Sequence, residues 1–189
     1  MGIRLPLGQL SWDCSGSTAA IGDRWEDGVF SRPNRTLEEA KAETIGQLSA
    51  ACKARIVAGA DIQLSDGSVQ HFDYSTEDQL NISDMFSAVA LGASCYPYQP
   101  ADGSCAVYQA VDIVAIYTAL AAQKTAQLTY YHQLKDYVGA LETVAEVDAV
   151  VYGQALIGEY LEHYNMAVQA AQQQMQEVLA RLAGGSYAS

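Results

Sequence analysis

The sequence predicts an α+β, mostly α fold: helices with two small β-hairpins, an irregular N-terminal arm and a long C-terminal helix. Three observations carry that expectation. Apolar residues recur at helical spacing in several segments, turn signals at Asp66-Gly67 and at Pro100 to Gly103 sit between short strand-like runs, and apolar residues of the final segment alternate three and four apart without a break. A chain of 189 residues buries a real core, so one main domain with extensions is the expectation. Three regions are predicted: an arm over 1–35, an α+β domain over 36–140, and a C-terminal helical extension over 141–189.

The arm mixes Gly, Ser, Pro and Arg with isolated anchors, among them Trp12 and Trp25, and keeps neither a 3.6 nor a 2.0 period. Tryptophan is enriched where surfaces meet partners. The arm reads either as a docking segment or as a wrap around its own domain. At Thr36 the run T-L-E-E places Glu39 where a capping box needs it, and Leu37, Ala40, Leu48, Cys52 and Ile56 continue as one stripe up to Gly59. Next, ADIQL and SVQHFDY flank Asp66-Gly67; a two-residue turn there pairs Leu64 with Val69 and Ile62 with His71, leaving His71 half-buried.

A second helix follows, with Ile82, Met85, Phe86 and Val89 on its core face and Ser75 or Thr76 as N-cap. CYPYQ and SCAVY then flank the second hairpin turn. A long helix is predicted from Val111 to Val138, anchored by Val114, Tyr117, Leu120, Leu128, Tyr131, Leu134 and Val138. A capping box at Thr143 and Glu146 opens a short helix reaching Tyr152 and Gly153. The last helix starts near Gly158 with the seam Leu161, Tyr164, Val168, Ala171, Met175, Val178 and Leu182, which has coiled-coil spacing. Its flanks are largely uncharged, so the seam either self-associates or packs on the long helix.

Composition narrows the chemistry. Ten Lys+Arg against 22 Asp+Glu give a net charge of −12, which repels phosphate backbones and anionic lipids, so neither nucleic acid nor membrane is an expected partner. No apolar run spans a bilayer and MGIRLPLGQL lacks a secretory core, so synthesis in the cytoplasm is expected. Cys14, Cys52, Cys95 and Cys105 show no zinc-ligand spacing; Cys95 and Cys105 flank the second hairpin, where a cytosolic chain argues against a bridge. The bases of the usual kind are His71, His132 and His163, and neither a G-x-S-x-G elbow nor a phosphate loop occurs. His132 and Asp136 are spaced to meet on one helix face, with no nucleophile in view. Twelve tyrosines against three phenylalanines suit half-buried helix interfaces, and equally sugar contacts. Neither a catalytic residue nor a cofactor is assigned.

The polar run YSTEDQLNISDMF tests for a metal. Asp73, Ser75, Glu77, Asn81 and Asp84 fall in the register of a calcium loop, but Asp78 stands where that loop needs Gly, and Asp84 where it takes Glu. Without those two residues, and with a helical beat already running, the stretch reads as a capped helix start whose carboxylates complement the helix dipole. No metal is assigned. Gln79 and Asn81 are expected to turn inward onto the adjacent hairpin.

The order of these features carries a resemblance. A helix ending in Cys-x-x-x-Ile-x-x-Gly, a hairpin, D-Q-x-N at Asp78, Gln79 and Asn81, a hairpin with Asp102-Gly103 and a long helix resemble an uncharacterised family of tailed-phage and prophage tail proteins, tail-fibre or tail-fibre-assembly associated. The resemblance covers about residues 37 to 138, and TYYHQLKDYVGALETVAEVDAVVYGQAL resembles the continuation in Firmicute phage versions. It implies a non-enzymatic structural or adaptor role near the tail tip or fibre, other tail chains as partners, and a place in the virion tail. An assembly chaperone absent from the mature particle and a small glycan-binding module are the alternatives.

Overall fold

The computed structural model describes residues 24–26, 29–31, 35–100 and 103–185. The chain divides into two compact units, Met1–Thr36 and Leu37–Ser189. In the first, β1 (Arg24–Glu26) pairs antiparallel with β2 (Val29–Ser31), Trp25 opposite Phe30. This short ladder is an element the sequence reading did not include in the arm. Trp12 and Cys14 lie outside the described residues.

The second unit holds the predicted order: α1 (Leu37–Val57), β3 (Ala60–Gln63), β4 (Val69–Phe72), α2 (Thr76–Ala90), β5 (Cys95–Tyr98), β6 (Ala106–Gln109), α3 (Ala110–Ala140), α4 (Val144–Asp148) and α5 (Gly158–Gly185). The α+β, mostly helical class is borne out, with each sheet among the described residues a two-stranded antiparallel ladder. Helix α1 starts directly after Thr36, with Glu38 and Glu39 in its first turn, and buries Ala40, Thr44, Leu48, Cys52 and Ile56 on one face. Its C-terminal exit at Gly59 has φ +61, and a Cβ there would meet the Phe72 carbonyl oxygen at 1.8 Å. Only glycine fits a left-handed backbone so close to the next hairpin.

Two sequence expectations shift by one residue. In β3–β4 the observed partners are Gln63 with Val69, Ile62 with Gln70 and Asp61 with His71. The loop is Ser65-Asp66-Gly67 rather than Asp66-Gly67 alone, because Gly67 takes φ +86 as the third loop residue and Leu64 closes the hairpin by donating to Ser68 O (2.8 Å). His71 is therefore exposed, not half-buried. In α3 the deepest positions are Ile113, Ile116, Leu120, Leu134 and Val138, while Leu128 is exposed. Helix α3 is flanked by α1, α2, α5 and the hairpins, so much of its circumference is partly covered and no single stripe marks its core face.

Two apolar clusters lie along the α1–α3 axis. One joins Cys52 and Ile56 with Phe72, Ile82, Met85, Tyr98, Tyr108 and Ile116; the other joins Ala40 and Leu48 with Leu134, Val138, Val147 and Val150. Helix α4 seats Val147 in the second cluster, started by the expected capping box: the Glu146 amide donates to Thr143 Oγ1 (3.2 Å) and the Thr143 amide to Glu146 Oε2 (3.1 Å). Cys95 pairs with Gln109 at one end of the β5–β6 ladder while Cys105 precedes β6 at the other, and both are exposed free thiols. Among the described residues no helix is long and apolar enough to cross a membrane.

Candidate functional site

The polar run at the start of α2 is a structural junction. Ser75 is the N-cap: the Asp78 amide donates to Ser75 Oγ (3.2 Å) and the Ser75 amide returns a bond to Asp78 Oδ2 (3.0 Å). The other carboxylate oxygen of Asp78 accepts from the Tyr98 hydroxyl (3.1 Å), tying β5 to α2. Burial, with Asp78 alongside, pushes the Tyr98 phenol well above its ordinary range, so it stays a donor. Gln79 turns inward as expected: its Nε2 donates to the Tyr74 carbonyl (3.0 Å) and its Oε1 accepts from Lys124 Nζ (2.6 Å) on α3. Asn81 does not. It is exposed on α2 and takes part in none of these bonds.

Two further ties were not visible in the sequence. Asp112, buried in the first turn of α3, accepts from the Ser65 amide (2.7 Å) and Ser65 hydroxyl (3.2 Å), holding the β3–β4 turn. Gln123 donates to the carbonyls of Arg55 (3.1 Å) and Gly59 (2.7 Å), satisfying groups that the end of α1 leaves open. Both pair residues far apart in sequence, so no local period reports them.

The histidines do not converge on a nucleophile. His71 Nδ1 lies 2.7 Å from Asp61 and Nε2 3.5 Å from Asp73, on an exposed hairpin edge, and the Asp61 hydrogen bond raises its pKa. His132 and Asp136 are both exposed, and no hydrogen bond joins them. Cys52 is buried and burial raises its thiol, which holds it in the unreactive form. The tyrosines are largely committed within the fold. The Tyr130 hydroxyl donates to the Gln154 carbonyl (2.6 Å) and accepts from the Gly153 amide (2.9 Å), Tyr152 donates to Gln127 Oε1 (2.7 Å) and Tyr108 to Gln70 Oε1 (3.0 Å). Phe86 stacks on Tyr117 with ring centres 4.0 Å apart.

What remains open is α5. It runs antiparallel along α3, with Tyr160 against Tyr137 (5.5 Å) and Tyr164 against Tyr130 (6.4 Å). The seam expected to face a partner or the long helix faces the long helix. Yet no described side chain of α5 is buried: Tyr164, Val168, Ala171, Met175 and Leu182 are half-covered, and Leu161 and Val178 are 42% and 38% exposed. Between α5 and α3 lies an open groove of about 770 Å³, floored by small α3 residues such as Ala115, Ala119, Ala122 and Ala126 and rimmed by Val168 and Met175. Small side chains there allow α5 to approach α3 closely while leaving the groove open beside the contact.

The fold and this surface define a mostly helical α+β domain with, among the described residues, a mainly apolar groove between two of its helices. The chain belongs to the family described as Domain of unknown function (DUF4376), whose profile matches residues 39–151. The match spans α1 to the end of α4, so the α3 wall of the groove lies within the family domain and α5 outside it. No curated protein and no solved structure is matched by the chain.

Proposed function

We propose that the protein is a non-enzymatic bacteriophage tail structural or adaptor protein, sited near the tail tip or fibre and docking neighbouring chains through α5 and its groove. The observation that carries a docking role is α5 itself: 28 residues with a continuous apolar seam and no described side chain buried. A helix whose apolar edge is only half covered gains further free energy when a second surface removes the rest from water, about 25 cal/mol per Å². The tail assignment rests on the D-Q-x-N order and its flanking elements, through the resemblance they carry. The D-Q part supports an architectural role for that signature, since Asp78 and Gln79 bond to Ser75, Tyr98, Tyr74 and Lys124.

Mass spectrometry of purified virions tests the reading. The chain is expected among the tail proteins in stoichiometric amount; a chain present during morphogenesis but missing from mature particles would instead be an assembly chaperone.

A further inference from the structure

We draw no further inference here: the strongest candidate, the mainly apolar groove between α3 and α5, belongs to the docking surface already described, and nothing in the structure shows what covers it.

Discussion

Asp78 spends one carboxylate on two elements, capping α2 through Ser75 and holding Tyr98 on β5. Replacing Asp78 keeps the Ser75 hydroxyl cap but removes the return bond to the Ser75 amide and leaves the buried Tyr98 hydroxyl without its acceptor, each worth about 1 kcal/mol or more. Asp78→Ala is therefore expected to lower Tm by several degrees in differential scanning calorimetry. Asn81→Ala should leave Tm within a degree or so of wild type, since an exposed helix position tolerates Ala. Equal losses in the two variants would contradict the division of the D-Q-x-N signature. His71 supplies a pH signature. Its folded pKa is raised, first by the Asp61 hydrogen bond, so its contribution is fully present below about pH 6.5 and disappears as pH rises through the folded value. With the side chains of His71 and Asp61 both exposed, solvent screens the pair and the effect is small. His71→Gln should flatten the fall in urea midpoint as pH rises above about 6.5; an unchanged slope would exclude this pair as its source.

At the scale of elements, most of what the sequence announces is local chemistry. The capping boxes at Ser75/Asp78 and Thr143/Glu146, and the exits at Gly59 and Gly92, involve residues a turn apart, and the structure places α2, α4 and the end of α1 accordingly. The register of β3–β4 was not legible because Asp66-Gly67 fits a two-residue and a three-residue loop equally, and Asp112, distant in sequence, grips Ser65 in the longer one. On α3 the anchors Leu120, Leu134 and Val138 are buried as read, while Val114 and Tyr117 flank the deeper Ile113 and Ile116 because α3 is covered from several sides; Gln123 and Lys124 were invisible as ties because their partners lie far off in sequence, at the end of α1 and on α2. Glycine positions give a graded prediction. Gly67→Ala meets open space and only the left-handed backbone cost of roughly 1–2 kcal/mol. Gly59→Ala adds a backbone collision and should cost distinctly more than Gly67→Ala in urea unfolding, to the point of preventing folding. A similar loss at both sites would mean the α1–β3 junction yields more readily than its geometry allows.

For the whole molecule, cohesion is uneven. The two apolar clusters join α1, α2, α3, α4 and the hairpins, while α5 adds partly covered edges alone. Its approach passes through Gly153 and Gly158, both with positive φ, where the chain changes direction without side-chain strain. Helix α5 is therefore expected to open before the two clusters do. Amide hydrogen exchange makes that visible: α5 amides should exchange through a shallow opening, well before those of Ile116 and Leu120. Protection in α5 equal to that of α3 in dilute protein would show one cooperative body instead. A limb that opens at low free-energy cost bares its backbone before the core does, so the same half-covered edge would mark where a protease first cuts the folded chain.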